Sequence, residues 1–102
     1  MNEIYELLQT MNMPVAYHHF TKQTNPPFIC YFRERSSNFI ADNKVYQKID
    51  VIRIELYTEK KDIQKEIQLE CLLEQSDIPY EVISESYIES EKVYQVIYEI
   101  NI

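Results

Sequence analysis

The sequence predicts an α+β fold, a mostly antiparallel sheet with two helices on one face, in the order α-β-β-β-α-β-β. Three observations carry that expectation. Ile52, Ile54 and Leu56 alternate with Arg53, Glu55 and Tyr57, a period of two that places aliphatic groups on one face of a strand and polar or amphipathic groups on the other. The last segment, Val93 to Ile102, alternates again, with Tyr94, Val96, Tyr98, Ile100 and Ile102 on one face. Two other stretches, one at each side of the first alternation, space their apolar residues three and four apart, as a helix face requires.

Taken in order, Asn2 can cap a first helix whose stripe is Ile4, Leu7, Leu8 and Met11. Asn12 and Pro14 end it, because the residue before a proline is pushed out of the α region. Val15 to Phe20 reads as a strand, Thr21 to Pro27 as a loop, and Phe28 to Phe32 as a central strand covered on both faces. Ser36 to Asp50 alternates only weakly, with Phe39, Val45, Tyr46 and Ile49 as its sizeable apolar residues, and fits a hairpin or protruding loop. That segment is either a solvated connection or an arm that touches a neighbouring subunit.

Asp62 can cap the second helix, which runs to about Gln75. Its expected apolar face is Ile63, Ile67 and Cys71, broadened by Leu69, Leu72 and Leu73, and so wide a surface must pack on a sheet. Asp77 and Pro79 close it. Tyr80 and Val82 begin a strand whose pattern then loosens, so that residues 84–92 read as a turn region rich in Ser and Glu. With no repeat or linker, residues 1–102 are expected to form a single domain, with an arm at about residues 33–50.

Composition narrows the classes of function. Ten Lys and Arg against seventeen Asp and Glu give a net charge of −7, which cannot build the basic footprint that neutralises phosphates. A negative wall is nonetheless compatible with DNA passing by without being bound. Glycine is absent, where a chain of this length would average about seven. Without it no Walker loop, dinucleotide-binding turn or nucleophile elbow can be written. Nine tyrosines supply rings that pack while the hydroxyl stays wet, in a small β-rich core or under a partner. Neither a signal pattern nor an apolar run long enough to cross a membrane is present, so a soluble cytosolic product is expected.

Groups that could carry chemistry are scattered. His18 and His19, as neighbours on a strand, would point to opposite faces and could not share one ion. Cys30 and Cys71 lack a CxxC spacing and read as small buried apolar residues. Glu85, Glu89, Glu91 and Glu99 have no calcium-loop pattern and read as a solvated acidic face. Tyr57, Tyr87, Tyr94 and Tyr98 read as core and interface packing. No serine is paired with a histidine and an acid, and no catalytic residue, cofactor site or metal site is expected.

The stretch NFIADNKVYQKIDVIRIELYTEKKD, with VAYHHF and PPFICYF before it and YIESEKVYQVIYEI after it, resembles a family of small proteins from tailed phages and prophages of Gram-positive bacteria. Members are tail completion proteins, tail terminators or head–tail connectors, similar to the lambda tail terminator. The segment Arg33 to Ser37 departs from the glycine-containing or Asp-rich turn common in relatives. The resemblance implies a non-enzymatic virion protein that forms a homo-oligomeric, commonly hexameric ring at the head-proximal end of the tail tube. Its partners would be the tube protein and a head completion or connector protein, with DNA passing through the ring. It would occupy the head–tail junction of the virion, and the host cytoplasm during assembly. In a ring each subunit presents two unlike patches. Phe39 and Tyr46 are expected to anchor the arm, with Arg33, Arg35, Lys44 and Lys48 facing acidic groups on the next subunit. Two other readings fit the size and acidity: a phage-encoded binding or regulatory module acting on a host or phage protein, and a small hydrolase with a pocket of convergent polar groups.

Overall fold

A computed structural model describes residues 2–41 and 44–102, with side chains described outside residues 1–2 and 37–48. The chain is α+β, with helices α1 (Asn2–Gln9) and α2 (Ile63–Gln75) and strands β1 (Val15–Tyr17), β2 (Phe28–Ala41), β3 (Lys44–Thr58), β4 (Tyr80–Ile88) and β5 (Val93–Asn101). The strands form one sheet in the order β1-β2-β3-β5-β4. Only β1 and β2 run parallel; the other neighbours are antiparallel.

Register turns the alternation of β3 into a core. Ile52, Ile54 and Leu56 lie opposite Ile100, Tyr98 and Val96 of β5, and Ile54 and Leu56 lie opposite Tyr31 and Ile29 of β2. Directly opposed residues share a face, so these rows form one apolar surface. Ile4 and Leu8 of α1, Met11, and Leu69 and Leu73 of α2 seal it, which places both helices on the same side of the sheet. Burying an aliphatic side chain of this size contributes about 1.5–3 kcal/mol, and nine of the aliphatics here are under 2% exposed.

The helix boundaries have local causes. Asn12 ends the first helical segment in the left-handed region at φ 58°, a conformation that asparagine tolerates better than most residues. Asp62 lies outside the helical region and its Oδ1 accepts from the Lys65 amide at 3.2 Å, the expected cap of α2. At the other end Asp77 turns left-handed at φ 56°, and the Ile78 amide returns to the Leu73 carbonyl at 2.9 Å.

Several expectations are corrected. β1 stops at Tyr17 instead of Phe20, because His18 adopts φ 71° and turns the chain out of the strand after its amide makes the last ladder bond, to the Tyr31 carbonyl at 2.8 Å. β2 does not end near Phe32; it continues to Ala41, paired with β3 throughout except for irregularities at Arg33/Arg35 and Phe39/Ile40. It is covered by helices on one face only. The Ser- and Glu-rich residues 84–88 belong to β4, whose ladder with β5 reaches Ile88 opposite Val93. A propensity that looks turn-like is overridden there by a partner strand that satisfies its backbone.

The largest correction concerns α2. Its buried residues are Glu66, Leu69 and Leu73, while Ile63 is 60% and Ile67 53% exposed and Cys71 is exposed as well. Of the expected face, Leu69 and Leu73 meet the sheet, while Ile63, Ile67 and Cys71 are left exposed on the flank of the helix.

Candidate subunit interface

Beyond Val51, β3 has no ladder with β5, apart from the paired backbone groups of Asp50 and Ile102 at 2.8 and 3.0 Å. β2 and β3 thus continue past the rest of the sheet as a two-stranded ribbon, paired from Ser36 opposite Asp50 to Ala41 opposite Lys44. The molecule spans 51 × 27 × 23 Å, and the ribbon accounts for its long axis. Of the expected arm residues, Arg33 and Arg35 stand at the root of this ribbon. Phe39, Lys44, Tyr46 and Lys48 are placed in its strands by backbone, and their side chains lie outside the described residues.

Arg33 is exposed, and its amide donates to the Tyr17 hydroxyl at 3.3 Å. The Arg35 side chain is 57% exposed and already lies near acids of its own chain, Glu99 at 3.5 Å and Glu34 at 3.8 Å. Such exposed pairs contribute about 0–1 kcal/mol and exchange readily for an intermolecular acid. Ser36 closes the root by donating from its hydroxyl to Asp50 Oδ1 at 2.7 Å.

The sheet face opposite the helices has its own order. Three rows cross β2, β3 and β5: Phe28, Tyr57, Gln95; Cys30, Glu55, Ile97; and Phe32, Arg53, Glu99. Phe28 and Tyr57 stack at 4.7 Å. Gln95 Nε2 donates to the Tyr57 hydroxyl at 2.8 Å, which donates to Glu55 at 3.1 Å, and Arg53 Nε lies 3.4 Å from Glu55. The Arg53 guanidinium also sits 6.0 Å from the centre of the Phe32 ring. Gln95, Tyr57 and Glu55 are hydrogen-bonded laterally within this face, whereas Arg53 Nε is buried with no hydrogen bond and is held near Glu55 by charge alone. Cys30 and Ile97 are buried between them.

At one end of this face, His18, His19 and Phe20 fold over Phe28, Cys30 and Tyr57 to form a shallow depression. The histidines do not point apart. The left-handed turn at His18 brings the two Nδ1 atoms to 3.4 Å, with His18 against the Phe32 ring at 5.2 Å. Contrary to expectation the two rings can approach one ion, though no group of three or more possible metal ligands occurs among the described residues. Burial, then the Glu55 charge, pushes the Cys30 thiol up to about 11, and burial with Glu55 pushes Tyr57 up to about 12. Both are neutral at physiological pH and serve as packing groups.

The acidic residues named from sequence do not gather. Glu85 pairs with Lys61 at 2.8 Å and Glu99 with Arg35 at 3.5 Å. Of the four tyrosines, Tyr98 is fully buried and donates to Glu70 at 2.9 Å, whereas Tyr87 is 51% exposed. Sequence reasoning missed the apolar surface made by Ile63, Ile67, Val82 and Tyr87. The signal was there: Ser84, Ser86 and Ile88 alternate with Glu85 and Tyr87 in mirror image to the strand that begins at Val93. No helix of the described residues is long and apolar enough to cross a membrane. No family model and no curated protein matches this chain.

Proposed function

We propose that this chain is an assembly subunit of a tailed phage or prophage, forming a ring at the head-proximal end of the tail tube that ends the tail and joins it to the head. The observation that carries this reading is the ribbon formed by residues 36–41 and 44–50, which continues past the rest of the sheet, so that among the described residues no third strand pairs with it. A body of this size gains nothing in its own core from such an extension. Contact with another subunit is the use that fits its geometry. The open sheet face, with no helix over it, and the cations Arg33 and Arg35 at the ribbon root support the same reading.

Replacing Phe39→Ser together with Tyr46→Ser is expected to abolish assembly while circular dichroism and the unfolding midpoint stay those of the parent monomer. Sedimentation would show it. Retention of the oligomer by that double variant rejects the arm, and absence of the polypeptide from purified particles of the host's induced prophage rejects the virion reading.

A further inference from the structure

The whole net charge of the chain lies in its second half. Residues 59–102 carry eleven carboxylates and four lysines, whereas residues 1–58 hold six carboxylates and six Lys and Arg. Within that half, Tyr80–Glu91 carries Glu81, Glu85, Glu89 and Glu91 and no cation. This stretch is the strand β4 and the turn after it; β4 closes one edge of the sheet and is exposed from Glu81 to Tyr87.

An apolar strip runs beside that acidic edge. Val82 and Tyr87 oppose Tyr98 and Tyr94 of β5 and so share the helix-bearing face, yet they are 47% and 51% exposed. On α2, Ile63 and Ile67 fall on the same side as Glu70 and Glu74, whose carboxylates accept from Tyr98 of β5 at 2.9 Å and Tyr80 of β4 at 2.6 Å. That side of the helix overhangs β4 without covering it. Lys61 clamps the corner, reaching Glu66 at 2.9 Å and Glu85 at 2.8 Å.

We infer that the β4 edge, with Ile63, Ile67, Val82 and Tyr87 beside it, receives the β2–β3 ribbon of a second copy of this chain. The inference rests on the assembly reading above and supplies the second of its two unlike patches. Charge selects the occupant. A second β4 would set glutamate against glutamate. The ribbon has the opposite balance, since residues 35–49 hold Arg35, Lys44 and Lys48 against Asp42 alone. Its sequence also supplies apolar partners in Phe39, Ile40, Val45 and Tyr46. Length agrees as well: residues 35–41 extend roughly 23 Å and residues 80–88 roughly 30 Å at about 3.3 Å per residue. Each subunit then uses one ribbon and one edge, a head-to-tail contact that closes when the rotation allows.

Two variants, each blocked on one patch, test this by sedimentation. Ile67→Arg with Val82→Arg blocks the edge, and Phe39→Ser with Tyr46→Ser blocks the ribbon. The wild-type chain is expected to form oligomers, each variant alone to be monomeric, and their mixture to give a 1:1 heterodimer and nothing larger. Should the first edge pair fail to fold, Ile63→Arg with Tyr87→Arg replaces it, both positions being more than half exposed. An edge-blocked chain that assembles like wild type, or a mixture that yields no heterodimer, overturns the receptor surface while leaving assembly through the ribbon standing. A wild-type chain that stays monomeric at millimolar concentration overturns both.

Discussion

The two faces of β3 are built from alternate residues of one strand and are held by different physics. Ile52, Ile54 and Leu56 are at most 1% exposed, shielded by helices that arrive from either end of the chain. Arg53, Glu55 and Tyr57, one residue away, are covered by no helix and lie among one another, Phe32, Phe28 and Gln95, with His18, His19 and Phe20 folded over one end. The first face is stabilised by removing apolar area from water. The second is arranged so that polar groups have partners within their own layer and can meet either water or another subunit. One strand thus gives a small domain both its core and a polar surface whose Gln95, Tyr57 and Glu55 are already hydrogen-bonded to one another.

Substitutions should separate the two faces, the largest loss falling on the covered side. Ile54→Ala, at a site with no exposure, is expected to cost about 2–5 kcal/mol in urea unfolding. A loss under about 1 kcal/mol would mean that the helices do not seat on that row. Tyr98→Phe should cost about 1–2 kcal/mol, because it removes the donor to a carboxylate while keeping the ring.

The tyrosines also give the covered side an alkaline signature. Burial, followed by Glu70, raises Tyr98 above the ordinary phenol range, and the Glu74 hydrogen bond pushes Tyr80 up to about 12. A raised phenol stabilises the fold fully below its unfolded value of about 10, and that stability is lost as pH rises toward the folded value. Unfolding free energy should therefore fall above about pH 10, less steeply in Tyr98→Phe. Equal slopes in the two proteins would remove Tyr98 from the account.

On the open side, Arg53→Ala should change stability by no more than about 1 kcal/mol, since its ion pairs are partly solvated. A larger loss would show that this face behaves as a second core. Smallest of all is Lys61→Met. The Lys61 hydrogen bond holds Glu85 below the usual carboxylate range, and Glu85 and then Glu66 raise Lys61. A lowered carboxylate contributes stability above its unfolded value and loses it as pH falls through the folded one. A raised lysine contributes below its unfolded value and loses it at high pH. The variant should therefore show a shallower acid limb of stability than wild type, and an unchanged limb would mean that Lys61 does not hold Glu85 in solution.

The expectations that failed share a cause. On α2, the stripe Ile63, Ile67, Cys71 is as apolar by inspection as the face that is buried, and burying Glu66 looks unfavourable from the sequence. In the fold, Lys61 reaches Glu66 at 2.9 Å from outside the helix, and Tyr98 and Tyr80 bond Glu70 and Glu74 from the sheet. Three acids four residues apart thus orient the helix through partners that lie far along the chain or on another element. His18 leaves its strand through a left-handed turn that sets its ring against Phe32, on another strand. Residues 84–88 become strand because β5 is there to pair with them. The arm was legible as a hairpin, since its weak alternation still matches a two-stranded ribbon.

The sequence by itself determined the order α-β-β-β-α-β-β, the inward rows of β3 and β5, the Asp62 cap and the buried Cys30, because each depends on residues within one turn or one strand. Only the tertiary structure decided which side of α2 meets the sheet, where β1 stops, how far β4 runs, and that an acidic edge carries a strip of apolar groups beside it. Those depend on which distant group satisfies a carboxylate, a backbone amide or a strand edge, and no local period encodes that partner.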